Sequence, residues 1–88
     1  MKVKSEFILK SVAGQHIVVP IGKEAAKFHG MITLNETGKF LFETLKTKQT
    51  LETLIDRLMN TYDVTKKQAT KDVQSFVDIL NKHNVLES

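Results

Sequence analysis

The chain has 88 residues, 41% of them hydrophobic, which is enough for one small core and a single domain, 1–88. It contains no cysteine, so disulfides and thiolate metal sites are excluded. The formal net charge of +3 permits an anionic partner without requiring one. No apolar run approaches the roughly 18 residues of a membrane span, and Lys10 interrupts the N-terminal run before it could form a signal peptide. The sequence therefore predicts a soluble cytoplasmic protein with no membrane partner.

The first third of the chain has the composition of β-strands. Residues 6–13 and 16–21 are rich in β-forming residues, and Gly14-Gln15 between them suits a tight turn. A loop or a short turn of helix follows, and residues 28–34 form the third predicted strand. Short connections of this kind predict a three-stranded antiparallel β-meander.

The rest of the chain has the pattern of three amphipathic α-helices. Asn35 is a good cap for the first of them and Thr50 for the second, because these side chains accept from free amides of a first helical turn. The second helix carries a single apolar stripe at i, i+3, i+4, i+7, i+8 and i+11. Thr65 and Gln68 match a capping box at the start of the third helix, which extends to about Lys82.

The order of elements predicts an α+β fold in which the three-stranded antiparallel β-meander is followed by three α-helices. The second and third helices, joined by a short turn, can form a helix-turn-helix, so we expect a winged-helix-like domain. The core face of the third helix is predicted to comprise Ala69, Val73, Phe76, Val77 and Leu80. Val85 and Leu86 follow that helix and are expected to pack back on the core.

The sequence has no pattern typical of an active site. Its histidines, His16, His29 and His83, show no metal-ligand spacing with one another or with carboxylates. No serine lies in a nucleophile motif, and the glycines form no phosphate-binding loop. We therefore expect a protein that is not an enzyme and has no metal site and no cofactor.

DNA binding is one function that a winged-helix-like protein could have. The third helix would enter the major groove, and lysines such as Lys67 and Lys71 would contact phosphates. That helix has no arginine, however, and arginine makes the commonest specific contact with guanine. Asp72 and Asp78 would also repel phosphates if they faced the DNA. The sequence thus disfavours nucleic acid as the partner, and a transcriptional regulator remains the alternative function.

Peptide capture by strand addition is the other function that fits. Residues 30–34 carry no charge, so the third strand could offer an open edge to an extended peptide, or it could simply be a half-buried strand. Ile79 lies about a quarter turn away from the core stripe of the third helix. It could line a groove beside the third strand or pack on the C-terminal tail, and the pattern allows both.

Three stretches of the sequence resemble the PqqD-like proteins, also called RiPP recognition elements. These stretches are GMITLNETGKFLFETL, QTLETLIDRLMNTYDV and ATKDVQSFVDILNKHNVLE, and the resemblance extends from about Phe7 to Glu87. Its features include Leu34-Asn35 before the first helix and Gly38 with two aromatic residues after it. The chain departs from the family pattern at Phe42, where a tryptophan is frequent, and at Asn84, where a glycine is usual.

The resemblance implies a domain without catalytic residues that binds the leader region of a ribosomally synthesised precursor peptide. The leader adds as a strand beside strand three and packs against helix three, and the domain presents the peptide to a modifying enzyme, often a radical SAM enzyme. An open strand edge can also pair with a second copy, so either a monomer or a homodimer is expected.

Carried over by position, the resemblance places the peptide-binding residues on the third strand and the third helix. Met31, Ile32 and Thr33 are predicted to pair through their backbones, and Lys67 and Lys71 to pair with acidic leader residues. The full predicted set is Phe28, Gly30, Met31, Ile32, Thr33, Leu34, Lys67, Lys71, Asp72, Ser75, Phe76 and Ile79.

Overall fold

The structure is a computed structural model that describes residues 1–27 and 32–87. The predicted order of three strands followed by three helices is confirmed, and the connection between the second and third strands, predicted as a loop or a short turn of helix, contains a short helix. The elements are β1 (Phe7–Val12), β2 (Gln15–Pro20), α1 (Lys23–Lys27), β3 (Ile32–Leu34), α2 (Glu36–Thr44), α3 (Leu51–Thr61) and α4 (Lys66–Lys82).

The strands form an antiparallel sheet in the order β1-β2-β3. The β1–β2 turn is formed by Ala13 and Gly14, whose φ angles are 51° and 80°. Positive φ at both central residues defines the type I′ turn that matches the twist of a two-residue hairpin. Val12 therefore pairs with Gln15, and the turn lies one residue earlier than the predicted Gly14-Gln15 because Gln15 already belongs to β2.

The core lies between the inner face of the sheet and helices α2, α3 and α4. The predicted core face of α4 is confirmed, since all five of its residues are buried. On α3, Leu54 and Leu58 are completely buried, whereas Leu51 at the start of the stripe is exposed. The rings of Phe40 and Tyr62 pack edge to face at 5.6 Å and join α2 to the end of α3. No helix in the described ranges has the length and apolar character needed to cross a membrane.

The predicted helix caps are present, with one difference. Asn35 caps α2, and Thr50 caps α3 in a complete capping box with Thr53. Thr65 Oγ1 accepts from the Gln68 backbone N–H at 3.1 Å, as predicted. The Gln68 side chain, however, donates to Asp72 at 2.8 Å. Gln68 Oε1 does not accept from the Thr65 N–H, so the second half of the predicted capping box at Thr65 is missing.

The two ends of the chain are paired with each other. Val3 and Leu86 form an isolated antiparallel bridge, and the Lys4 N–H donates to the Val85 C=O at 2.9 Å. Val85 and Leu86 are buried, so the prediction that they return to the core is confirmed. The Val3 N–H donates to the Leu45 C=O at 2.9 Å, which attaches the paired ends to the last turn of α2.

Candidate functional site

A groove of about 370 Å³ lies where the end of β3, the first half of α2 and one face of α4 meet. It is lined by Thr33, Leu34, Asn35, Thr37, Gly38, Leu41, Asp72, Ser75, Phe76 and Ile79. The lining combines apolar side chains with uncharged polar groups and one carboxylate. This mixture of apolar surface and a few placed polar groups is typical of ligand sites in proteins.

The corner between β3 and α2 gives one wall of the groove its shape. Asn35 Oδ1 accepts from the Gly38 N–H at 2.8 Å and from Thr37 Oγ1 at 2.9 Å, so helix α2 begins directly after the strand. A Cβ atom at Gly38 would lie only 3.1 Å from Leu34 Cβ. The glycine therefore lets α2 approach Leu34 closely.

β3 is an edge strand of the sheet, and its neighbour β2 determines which of its backbone groups are paired. Hydrogen-bonded and non-hydrogen-bonded residue pairs alternate along antiparallel strands. The Ile21 N–H donates to the Glu6 C=O at 2.7 Å, so Ile21 belongs to a hydrogen-bonded pair with β1. By the alternation, the backbone groups of Val19, Ile17 and Gln15 also face β1. The intervening residues, His16 and Val18, therefore direct their backbone groups toward β3.

Thr33 is the residue of β3 whose backbone faces the open edge. Leu34 and Ile32 are the register partners of His16 and Val18, so their N–H and C=O groups point toward β2. Thr33 lies between them, and its N–H and C=O point away from the sheet, beside the groove. This edge could accept an additional strand.

The other strand residues of the predicted site have different positions. The backbone of Ile32 is directed toward β2 and its side chain is buried, so the predicted edge pairing by Ile32 does not fit the register. Leu34 is also buried and lines the groove with its side chain. Phe28, Gly30 and Met31 lie outside the described residues.

The opposite wall of the groove belongs to α4. Asp72, Ser75, Phe76 and Ile79 all line it, so the structure brings together these four predicted residues with Thr33 and Leu34. Ile79 is 44% exposed, and its position favours the groove over packing on the C-terminal tail. Lys67 and Lys71, by contrast, are exposed and lie outside the groove lining.

The contribution of α2 to the groove is absent from the sequence prediction. Asn35, Thr37, Gly38 and Leu41 all line the groove. The spacing of the last three, at i, i+1 and i+4, gives a weak signal of one shared helix face. That spacing does not reveal which neighbouring element the face meets.

A polar network behind the groove joins β1, β2 and α2. His16 is buried; its Nδ1 lies 2.8 Å from Ser11 Oγ and its Nε2 lies 2.7 Å from Glu36 Oε1. Because a carboxylate only accepts hydrogen bonds, Nε2 carries the proton. The hydrogen bond and the charge of His16 lower the pKa of Glu36 below its usual range. Within the described part of the chain, no three histidine or carboxylate side chains are grouped so that they could hold a metal ion.

Comparisons with known proteins identify the family of this fold. The family described as "Coenzyme PQQ synthesis protein D (PqqD)" matches residues 15–86, and the chain belongs to the PqqD family. A search of curated proteins found no match. A solved structure titled "TbiB1 in Complex with the TbiA(beta) Leader Peptide" is similar to the chain, with a TM-score of 0.75 and 16% sequence identity. The match covers 100% of this chain and 96% of TbiB1, and it shows that the two share a fold.

Proposed function

We propose that this protein binds the leader region of a ribosomally synthesised precursor peptide as an added strand on β3. The observation that carries the proposal is the outward-facing backbone of Thr33 beside a groove lined by Leu41, Phe76 and Ile79. The Thr33 N–H and C=O would pair with the peptide backbone. Alternate side chains of the peptide would then point into the groove, because side chains alternate between the two faces of a strand.

Family membership and the shared fold with TbiB1, whose structure contains a leader peptide, support this proposal. We further propose that the protein presents the bound peptide to a modifying enzyme, of the radical SAM class, in peptide natural-product biosynthesis. The protein would act as a binding partner without chemistry of its own, by raising the effective concentration of the substrate at the enzyme. We also propose a cytoplasmic location, because the proposed substrate is synthesised on ribosomes.

Replacing Thr33 with proline tests the strand-addition proposal. Proline has no N–H, so Thr33→Pro removes a donor from the open edge without removing one from the β2–β3 ladder. Thr33→Ala is the matched control because it shortens the side chain and keeps the N–H. We expect a precursor leader peptide that binds the wild type to bind Thr33→Ala as well, and to lose binding to Thr33→Pro.

The readout is a titration followed by the backbone amide signals of each variant in NMR spectra. Leader binding should shift the signals of β3 and α4 in the wild type, and the spectrum of free Thr33→Pro should show that this variant is folded. Unchanged leader affinity in folded Thr33→Pro would rule out this edge. If duplex DNA shifts the α4 signals and no leader does, the DNA-binding alternative replaces the proposal.

A further inference from the structure

Asp72 is the one ionisable side chain among the described residues that line the groove. It lies on α4 beside the apolar and uncharged polar residues of the groove lining, with the exposed Lys71 preceding it in the sequence, and it is half-buried. Its Oδ1 accepts from Gln68 Nε2 at 2.8 Å. Within the described ranges, no lysine or arginine forms an ion pair with Asp72. The carboxylate is therefore only partly satisfied by the protein.

A peptide in the groove would change the surroundings of this carboxylate. In the free protein, water reaches the half-buried group and solvates its charge. A strand laid along β3 would displace that water, and burying a charge without a partner is costly. A neutral donor on the peptide would satisfy one lone pair and leave the charge uncompensated. A lysine or arginine would compensate the charge and form a charge-assisted hydrogen bond.

We infer that the peptide bound in this groove carries a lysine or arginine side chain that contacts Asp72. The inference rests on the proposed function and specifies the chemistry of its ligand. It also differs from the pairing of acidic leader residues with Lys67 and Lys71, because those lysines lie outside the groove lining. Asp72 would thus select among peptides that the strand edge alone would accept equally, since backbone pairing is independent of side-chain identity.

Asp78 provides a matched control on the same helix. Its Oδ1 accepts from Gln74 Nε2 at 2.9 Å, which is the same i, i+4 arrangement as that of Asp72 with Gln68. Asp78 is exposed and does not line the groove. Asp72→Asn and Asp78→Asn therefore remove the same charge from the same kind of hydrogen bond, and only the first changes the groove.

The test uses a phage-displayed library of random peptides of about 12 residues, selected on the wild type and on the Asp72→Asn, Asp78→Asn and Thr33→Pro variants. Peptides selected on the wild type and on Asp78→Asn should share lysine or arginine at one position. Asp72→Asn should select peptides without that preference. A synthetic peptide from the wild-type selection should bind Asp72→Asn about tenfold more weakly, equivalent to about 1.4 kcal/mol, and bind Asp78→Asn unchanged.

A second peptide, with norleucine in place of the basic residue, completes a double-mutant cycle. It should bind the wild type about tenfold more weakly than the basic peptide and should bind Asp72→Asn as well as the basic peptide does. This inference is overturned if peptides selected on the wild type show no preference for a basic residue, or if Asp72→Asn selects the same basic preference. Either result leaves strand addition standing. If Thr33→Pro binds every peptide that was selected on the wild type, strand addition is overturned, and this inference is overturned with it.

Discussion

At the scale of single residues, His16 connects three elements through one imidazole ring. Ser11 belongs to β1, His16 to β2, and Glu36 to the first turn of α2. His16 is also the register partner of Leu34, which lines the groove. The network therefore stabilises the position of the β3–α2 corner without itself lining the groove.

The pH dependence of stability should reveal the hydrogen bond between Glu36 and His16. The pKa of Glu36 is lowered in the folded protein, so its carboxylate stabilises the fold above the ordinary glutamate pKa of about 4.3. That stabilisation is lost as the pH falls through the lowered pKa. We expect Glu36→Gln to be less stable than the wild type at neutral pH and the difference to shrink in acid, as measured by urea unfolding at a series of pH values.

Glu43→Gln is the control for this measurement, because Glu43 is an exposed glutamate on the same helix that forms no ion pair with a described residue. It should show no such pH-dependent difference from the wild type. A stability difference for Glu36→Gln that persisted undiminished to about pH 3 would contradict the assigned role of the hydrogen bond.

The role of a residue is easier to predict from the sequence when its hydrogen-bond partner lies close to it along the chain. The caps Asn35 and Thr50 bond within three residues along the chain, so their roles follow from local sequence. His16 and Glu36 are 20 residues apart, and no local pattern relates them. Gln68 has the spacing of a capping box, but its side chain donates to Asp72 and does not accept from the Thr65 N–H.

At the scale of elements, α4 presents two adjacent faces with different roles. The core face includes Leu80, which is completely buried, and the groove face includes Ile79, which is 44% exposed. Neighbouring residues on a helix differ by about 100°, so these two side chains lie on different faces. Substitutions at the two positions should therefore separate stability from binding.

Ile79→Ala and Leu80→Ala are the substitutions that test this separation. Leu80→Ala should lower the free energy of unfolding by about 2–5 kcal/mol because it leaves a cavity in the core. Ile79→Ala should lower it by less than about 1 kcal/mol, since an exposed side chain loses few contacts. Urea unfolding measures both values. Ile79→Ala should nevertheless weaken leader binding, and leader affinity equal to that of the wild type would exclude Ile79 from the binding surface.

Hydrophobic periodicity explains why the elements were more predictable than the groove. The pattern identified all three long helices and the buried face of α4, because burial follows the helical repeat. Periodicity shows that a helix face is buried, but it does not show which element covers it. The part of the groove formed by α2 depends on how that helix packs against Leu34 and α4, and this information lies in the tertiary structure.

At the scale of the whole molecule, the two chain ends reinforce each other. Backbone hydrogen bonds connect Lys4 to Val85 and Glu87 to Lys2, at 2.9 and 2.8 Å. Chain ends usually fray unless they are tied to the rest of the fold. Here the buried side chains of Val3 and Leu86 fix the ends to the core.

Hydrogen exchange should distinguish these tied ends from the open strand edge. The amides of Val3, Lys4 and Glu87 are donors in backbone hydrogen bonds, so we expect them to exchange slowly. The amide of Thr33 faces away from β2 and should exchange rapidly until a leader peptide binds. NMR-detected exchange in D₂O measures each amide separately. Exchange at Val3 and Lys4 as rapid as at Thr33 would show that the ends open independently of the core.

The paired ends also determine where another protein could be attached. The groove extends along α2 from Asn35 to Leu41, whereas Val3 is bonded to Leu45 at the other end of that helix, roughly 15 Å from Asn35 for a rise of 1.5 Å per residue. Since Val3 and Leu86 are neighbours, the two junctions between this fold and a host protein would lie next to each other. The fold could thus be inserted into a surface loop of an enzyme through two adjacent junctions, as domains with neighbouring ends tolerate.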